Sequence, residues 1–218
     1  MTVRLAVFDC DGTLVDGQGA ICKSMEAAFA AHGLPLPQRA DIRRMVGLSL
    51  PHAIARLEPD LDERQVARIV DAYKSDYRAA RASGELSEPL FDGIVPLLDM
   101  LRGAGWLLGV ATGKSQRGLT HCLAMHGLND HFITLQTADH HPSKPHPAML
   151  EAALAEALAE PAHAVMIGDT AYDMAMASGA GVRAIGVDWG YHAPSELIAA
   201  GAEWVAASPD QLGEYLLR

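Results

Sequence analysis

Three aspartates lie close together near the start of the chain, in the stretch VFDCDGTLVD (residues 7–16). Asp9 and Asp11 come at the end of an apolar run, and Asp16 follows shortly after them. Two like unit charges about 4 Å apart repel by about 4 kcal/mol at an effective dielectric constant of about 20. A bound cation, protonation of one acid or plain solvation on a loop could each offset this repulsion. The stretch by itself leaves these three explanations open.

Polar residues also end or follow other apolar runs of the chain. Thr112 and Gly113 close one run, Asp169 and Asp173 follow another, and Lys144 lies in a loop between them. If the runs are parallel strands, these residues lie at the carboxyl ends, where ligands of open parallel sheets gather. We therefore expect carboxylates, a hydroxyl, a backbone N–H and one ammonium to meet in a single crevice with Asp9 and Asp11.

The apolar runs alternate with amphipathic segments along the chain. Such alternation indicates an α/β fold with a mostly parallel sheet and helices on both faces, in other words a Rossmann-like three-layer core. The runs that predict strands cover residues 3–9, 106–112, 131–137, 164–169, 183–189 and 202–207, and the main helical segments between them cover 115–126, 147–159 and 170–178.

One interval interrupts this alternation. Roughly ninety residues separate Thr13 from the strand that begins near Trp106, although a crossover between parallel strands needs only about a dozen. The interval contains helical patterns, the clearest at 62–83. We therefore expect a helical cap domain at 15–89, inserted into a catalytic core formed by 1–14 and 90–218. Asp92 is expected to cap the first helix after the insertion.

Composition limits the classes of function. The 218 residues are 50% apolar and 20% charged, which is typical of a globular fold. The net charge of −10 disfavours nucleic acid and anionic membranes as partners. No run approaches the ~20 apolar residues of a membrane span, and the amino terminus does not match a signal peptide. Three cysteines in non-motif spacing fit a reduced compartment. We expect a cytoplasmic protein; its oligomeric state is not indicated.

The motifs together identify the chain as similar to the haloacid dehalogenase-like superfamily, and within it to the phosphoglycolate phosphatase group. Each motif of that superfamily has a counterpart at the end of a predicted strand or in the loop after it. The counterparts are DCDGTL (9–14), Thr112 in VATGK (110–114), KPHP (144–147) and GDTAYD (168–173). Any one of them alone is weak evidence, but four in order along the chain are specific.

The resemblance implies a role for each of these residues. Asp9 would be the nucleophile that forms an aspartyl-phosphate. A Mg²⁺ ion would offset the charge of the attacking anion and the phosphate, held by the Asp9 carboxylate, the Asp11 backbone carbonyl, Asp169 and, in support, Asp173. Thr112, Gly113 and Lys144 would hold the phosphoryl oxygens.

Asp11 separates two reactions known in this superfamily. An alkoxide leaving group must be protonated, and the water that attacks later must lose a proton, so a second acid beside the nucleophile serves both steps. A halide leaving group needs no proton. Asp11 therefore favours hydrolysis of a small phosphorylated metabolite over dehalogenation, and the resemblance makes phosphoglycolate the first substrate to consider.

Two other functions remain open at this point. A β-phosphoglucomutase-like phosphoryl transfer would share most of these residues, and a non-catalytic regulator would bind phosphate without turnover. The presence of both an attacking acid and an adjacent proton donor argues against the regulator.

Several further residues allow more than one interpretation. Arg43 and Arg44 precede a loop that faces the substrate in related proteins, but a solvated helix face is about equally compatible with them. The histidines of DHHPSKPHP (139–147) are expected to be solvated rather than zinc ligands, since no second cluster completes a zinc site. Cys10 is expected to pack in the core, and Asp16 to act as a hinge or turn residue.

Overall fold

The computed structural model describes residues 2–218 as a six-stranded sheet covered by helices. Every pair of neighbouring strands is parallel, and the order across the sheet is β3-β2-β1-β4-β5-β6. The prediction of an α/β fold with a mostly parallel sheet is confirmed. The strands are β1 (Arg4–Phe8), β2 (Trp106–Thr112), β3 (Thr134–Thr137), β4 (Ala164–Gly168), β5 (Arg183–Val187) and β6 (Trp204–Ala206).

Helices connect the strands and account for the long interval after β1. Four helices, α1 to α4, follow β1 before the core resumes at α5. Among residues 2–218, no helix has both the length and the apolar character to cross a membrane. The helices are α1 (Gln18–Ala31), α2 (Arg39–Met45), α3 (Leu50–Leu57), α4 (Glu63–Ala82), α5 (Ile94–Gly103), α6 (Gln116–Met125), α7 (Ala148–Ala157), α8 (Ala171–Gly179), α9 (Pro194–Ala199) and α10 (Pro209–Leu216).

The sheet separates two hydrophobic clusters because successive side chains of a strand point to opposite faces. On β1, Ala6 and Phe8 belong to the cluster beneath α5, α6 and α10, whereas Leu5 and Val7 belong to the cluster beneath α7 and α8. All four side chains are buried. β1 lies at the centre of the sheet, between β2 and β4, so the residues after its last position lie near the middle of the carboxyl edge.

The inserted helices have a hydrophobic cluster of their own. Met25 and Phe29 of α1 pack with Ile54 of α3 and Ile69 of α4. The two connections to the core lie side by side, because the Asp16 N–H donates to the Pro89 carbonyl at 2.8 Å. These contacts occur at the predicted limits of the insertion, residues 15–89; the division into two domains itself stays a prediction.

Two helix starts differ in their caps. α4 begins with a capping box, in which the Asp62 carboxylate accepts from the Gln65 N–H and the Gln65 side chain accepts from the Asp62 N–H, both at 2.8 Å. The expected cap at Asp92 is wrong. Gly93 occupies the N-cap position of α5 with a φ of 87°, and no side chain caps this helix. A left-handed residue between Asp92 and the helix places the carboxylate one position too early to cap it.

Candidate active site

The carboxyl edge of the sheet brings together the acids and the lysine that the sequence singled out. Asp9 follows β1, Asp169 follows β4, and Asp173 lies in the first turn of α8. The Lys144 ammonium lies 3.0 Å from Asp9 Oδ1 and 2.6 Å from Asp173 Oδ1. All four side chains are buried.

Neighbouring backbone and side-chain donors hold two of these carboxylates in place. Asp9 Oδ1 accepts from the Cys10 N–H at 2.6 Å. Asp169 accepts from the Thr13 hydroxyl at 2.8 Å and from the Tyr191 N–H at 2.9 Å. Gly12 is required beside them, because its φ is +88° and a Cβ atom there would collide with the Asp169 carboxylate.

Asp173 combines a structural contact with the contact to Lys144. Its Oδ2 accepts from the Thr170 N–H at 3.0 Å and from the Thr170 hydroxyl at 2.7 Å, which forms the capping box at the start of α8. Thr170 therefore caps this helix. Both oxygens of Asp173 already have partners, and its main contact with the site is Lys144.

The charges in this cluster do not balance. Burial raises the pKa of Asp9 to about 7 despite the nearby Lys144 ammonium. Burial, together with repulsion by Asp9 and Asp173, raises the pKa of Asp169 well above its ordinary value. Burial opposes the charge of Lys144, but Asp173 and Asp9 outweigh it and raise the lysine pKa. One ammonium thus faces three carboxylates, which leaves negative charge uncompensated.

The cluster fits a divalent cation. Oxygen atoms of Asp9, Asp169 and Asp173 all lie within 4.8 Å of one another. Within residues 2–218, the buried Asp9 Oδ2 has no hydrogen-bond partner. Carboxylate oxygens are the ligands preferred by hard cations such as Mg²⁺ and Ca²⁺. The Asp11 carboxylate is not part of this group, and its predicted contribution through the backbone carbonyl stays a prediction.

Asp11 instead faces a cavity of about 540 Å³ between the inserted helices and the edge of the sheet. Thr112 and Gly113 line the same cavity. The loop at Gly47 and Leu48 covers Gly113 so closely that a Cβ atom on Gly113 would collide with both loop carbonyls. Asp11 therefore lies toward the inserted helices, whereas Asp9 lies deeper in the core.

A buried ion network holds Asp11 at the cavity. Lys114 Nζ lies 3.0 Å from Asp11 Oδ1 and 2.7 Å from Glu88 Oε1, and the Tyr77 hydroxyl donates to the same Glu88 oxygen at 2.6 Å. Burial raises the pKa of Asp11 more than Lys114 lowers it. For Glu88 the balance is reversed: burial raises its pKa, but Lys114 and Tyr77 outweigh burial, and the pKa is lowered.

The sequence motifs predict no role for Lys114, Glu88 or Tyr77. Lys114 is the last residue of VATGK (110–114), two residues after Thr112, and its place in this motif could have identified it as a site residue. Glu88 lies just before the predicted boundary of the insertion, and Tyr77 follows the apolar pattern of α4. Nothing in the spacing of these residues shows that α4 and the sheet edge meet, so this network required the tertiary structure.

The structure does not bring Arg43 and Arg44 to the acids. Arg44 forms an exposed ion pair with Glu196 of α9 at 2.7 Å, and Arg43 donates to the Gln18 side chain at 3.1 Å. They line a separate hollow with Tyr191 and not the cavity beside Asp11. A contact of these arginines with substrate stays a prediction that this geometry does not favour.

The remaining candidates have ordinary structural surroundings. Cys10 is buried in the hydrophobic cluster with Phe8, and all three cysteines are free. His141 contacts the Gln136 side-chain oxygen at 2.7 Å, and His140 is exposed. Asp16 accepts from the Gln18 N–H at 3.2 Å, so it forms a turn at the start of α1.

A family described as "Haloacid dehalogenase-like hydrolase" matches residues 6–187. Relatives of this chain carry different functional names. A "Probable phosphatase IndB" from Dickeya dadantii is 36% identical over 199 residues, 90% of this chain and 86% of that protein. A "Tyrosine-protein kinase PtkA" from Mycobacterium tuberculosis is 34% identical over 86% of this chain, which spans only 63% of the kinase. A "Phosphoglycolate phosphatase" from Vibrio vulnificus is 26% identical over 99% of this chain and 96% of that protein.

A solved structure agrees with the fold. The crystal structure of a "predicted phosphatase" from Clostridium acetobutylicum covers 100% of this chain and 99% of its own, with a TM-score of 0.89 and 27% identity. The family match spans well over half of the chain and includes β1 and β4 with the aspartates that follow them. The chain belongs to the haloacid dehalogenase-like hydrolase family, as its motifs predicted.

Proposed function

We propose that this protein is a Mg²⁺-dependent phosphatase that hydrolyses a small phosphomonoester through an aspartyl-phosphate on Asp9. The position of Asp9 supports this proposal. Its carboxylate is buried at the centre of the sheet edge, 3.0 Å from the Lys144 ammonium, and one of its oxygens has no partner among residues 2–218. A nucleophilic carboxylate needs such a held but incompletely paired oxygen.

Asp9 attacks phosphorus, and the bond from phosphorus to the leaving alkoxide breaks. Lys144 and the Thr112 hydroxyl stabilise the negative charge of the phosphoryl oxygens. Asp11 faces the cavity where the organic part of the substrate would lie, so it protonates the alkoxide and later accepts a proton from the water that hydrolyses the aspartyl-phosphate.

Asp9 and Asp169 would hold the Mg²⁺ ion, with Asp173 beside them, because their oxygens lie within 4.8 Å of one another and carry uncompensated charge. When bound, the ion supplies positive charge that offsets repulsion between the carboxylate and the phosphate. Asp173 contributes mainly by holding Lys144, since both of its oxygens have protein partners.

Residues 15–89 act as a cap over the site. The loop at Gly47 and Leu48 already lies against Gly113, and the chain enters and leaves the insertion through adjacent segments, where the Asp16 N–H donates to the Pro89 carbonyl. Closure of this cap would exclude bulk water from the aspartyl-phosphate and place cap residues against the substrate.

Phosphoglycolate is the first substrate to test, because the motifs resemble that group of phosphatases and one relative carries that name. The relative named as a kinase gives a reason to keep a second candidate, transfer of the phosphoryl group to an acceptor other than water. Retention of phosphate on an organic product would distinguish transfer from hydrolysis.

The direct test measures release of inorganic phosphate from 4-nitrophenyl phosphate with and without Mg²⁺. We expect turnover only with the metal, and loss of turnover in Asp9→Asn. Asp60→Asn, an exposed change of the same type in the insertion, is the matched control and should keep wild-type activity. Full activity in Asp9→Asn, or turnover without any divalent metal, would refute the mechanism.

A further inference from the structure

The wall of the cavity is basic, although the chain as a whole is acidic. The chain carries a net charge of −10, yet Lys74, Arg78 and Arg81 line the cavity from α4, and Lys114 and Arg117 line it from the core. The lining carboxylates are those of Asp11 and Asp139. Positive charge concentrated in one cavity of an acidic protein attracts an anionic ligand.

The cations of α4 share one face of that helix. Lys74, Arg78 and Arg81 are spaced at i, i+4 and i+7, so their side chains lie one above another. Arg64 and Arg68 belong to the same helix but do not line the cavity. The basic surface is therefore a property of the cavity wall and not of the whole helix.

Arg81 is the cation of this wall whose partner is missing. Its Nε and Nη2 atoms are buried, and within residues 2–218 neither donates a hydrogen bond. The positive charge of Arg81 helps to lower the pKa of Glu88. Glu88 Oε1 is bound to Lys114 and Tyr77, and its buried Oε2 also has no hydrogen-bond partner within residues 2–218, but no ion pair joins Glu88 to Arg81. A partly buried guanidinium that lines a cavity and has two nitrogens without a hydrogen-bond partner is costly, which points to a ligand that supplies one.

The position of Arg81 relates it to the reacting groups. Its guanidinium carbon lies 5.7 Å from the centre of the Tyr77 ring, and the Lys114 ammonium that binds Asp11 lies 5.7 Å from the same ring. The Tyr77 ring and Lys114 thus lie between Arg81 and Asp11, the proposed proton donor. A substrate that spans this distance could contact both ends.

The rest of the cavity is apolar. Ile21 and Met25 of α1, Ile42 of α2 and Leu48 line it, and Tyr73 lies against the Tyr77 ring with 5.6 Å between ring centres. Apolar walls with a few convergent polar groups are typical of pockets that bind an organic ligand. The about 540 Å³ of the cavity exceeds what phosphate alone requires.

We propose that Arg81 binds a carboxylate on the organic part of the substrate, and that the substrate class is a phosphorylated organic acid with an apolar body between its two anionic groups. The planar guanidinium matches a carboxylate with two parallel hydrogen bonds. This inference rests on the proposed phosphatase function and narrows its substrate. Arg81 determines specificity and takes no part in the bond-breaking step.

The test compares 4-carboxyphenyl phosphate, phenyl phosphate and phosphoglycolate in the wild type and in Arg81→Gln. In the wild type, kcat/KM should be highest for 4-carboxyphenyl phosphate, because it alone has both the apolar body and the carboxylate. Arg81→Gln should lower the ratio of kcat/KM for 4-carboxyphenyl phosphate to that for phenyl phosphate by about tenfold, mainly through KM.

Two further variants make this result specific. Arg68→Gln removes the same charge from an exposed position of α4 outside the cavity and should leave the ratio unchanged. Arg81→Lys keeps the charge but loses the planar fork, so its ratio should lie between those of the wild type and Arg81→Gln. An unchanged ratio in Arg81→Gln, or a preference for phosphoglycolate, would overturn the proposal.

A binding measurement separates this inference from the phosphatase function. Calorimetry with 4-carboxyphenylphosphonate and phenylphosphonate, which are not hydrolysed, reports the Arg81 contact without turnover. Tighter binding of the carboxylated compound that is lost in Arg81→Gln supports the site even if no phosphomonoester is hydrolysed. Equal binding of both compounds overturns it even if the enzyme is an active phosphatase.

Discussion

The sheet edge on the core side and the α4 wall of the cavity differ in charge and in which buried polar atoms lack a hydrogen-bond partner within residues 2–218: Asp9 Oδ2 on the core side and two Arg81 nitrogens on the α4 side. On the core side, buried carboxylates are held by the backbone, by threonines and by Lys144. On the α4 side, cations line apolar walls, and the buried Arg81 nitrogens have no partner among residues 2–218. The core side is thus built to hold acids in fixed positions, whereas the α4 side is built to accept a ligand.

This difference indicates separate roles for the two sides, the chemistry at phosphorus on the core side and the choice of substrate on the α4 side. The chemistry at phosphorus needs groups held within a few tenths of an ångström, which hydrogen bonds to a rigid sheet edge provide. Selection among phosphomonoesters needs groups that contact the variable organic part, and such groups gain from being incompletely paired before the ligand binds. The Lys114 network joins the two sides, since it links Asp11 to Glu88 and Tyr77.

Asp11→Asn should have the largest effect on turnover, because it removes the proposed proton donor, which lies at the sheet edge and faces the cavity. We expect kcat to fall by about 10²- to 10⁴-fold, the range for loss of a general acid. Mg²⁺ affinity, measured by calorimetry, should change little, since Asp11 is proposed to bind the metal through its backbone carbonyl. Loss of metal binding in this variant would place the Asp11 carboxylate among the ligands and contradict the assignment.

Lys114→Met should destabilise the protein, because it leaves the Asp11 and Glu88 carboxylates buried without a cation. Breaking a buried ion pair from one side costs about 3–5 kcal/mol, and we expect the free energy of unfolding in urea to fall by about 3 kcal/mol. The double variant with Glu88→Gln should recover part of this loss.

The control for Lys114 is Lys23→Met, which breaks the ion pair between Lys23 and Glu85, with both side chains 63% exposed. That pair is screened by solvent and should contribute much less. Equal losses in the two variants would show that the Lys114 network does not join the core to the cap as described.

The affinity for Mg²⁺ should depend on pH, because its proposed ligands are the carboxylates of the acidic side, whose pKa values are raised. The Asp9 pKa is raised to about 7 by burial, and that of Asp169 is raised as well. Below pH 7 the metal must displace a proton, so Mg²⁺ affinity measured by calorimetry should fall by about tenfold per pH unit for each proton released. Affinity that is constant from pH 6 to pH 8 would contradict the raised pKa.

The midpoint of thermal unfolding should also depend on pH, through the raised pKa of Asp9. The Asp9 pKa is higher in the folded protein than its ordinary value of 3.8, so its contribution to stability is present at low pH and is lost as the pH rises toward 7. Without metal the midpoint of unfolding should fall over this interval, and Mg²⁺ should raise it more at pH 8 than at pH 6. Asp9→Asn should reduce this difference.

Much of the fold and the acidic side could be predicted from the sequence. The predicted limits of β2 are the observed ones, and those of β1, β4, β5 and β6 lie within two residues of the observed limits, because a buried parallel strand is a continuous apolar run bounded by polar residues. The third strand is shorter than predicted, since the chain forms a 3₁₀ turn through His131 before β3 begins. The expected cap at Asp92 was wrong because a left-handed glycine cannot be read from an apolar pattern.

The meeting of Asp9, Lys144 and Asp169 at the sheet edge could be predicted from the strand pattern, because parallel topology brings the carboxyl ends of strands together whatever the details of packing. The way in which the inserted helices sit on that edge could not be predicted in this way. The contact of Lys114 with Glu88, the unpartnered Arg81 and the distance of Arg43 and Arg44 from the acids all follow from that packing, which depends on the shapes of two separate hydrophobic clusters and leaves no periodic signal in the sequence.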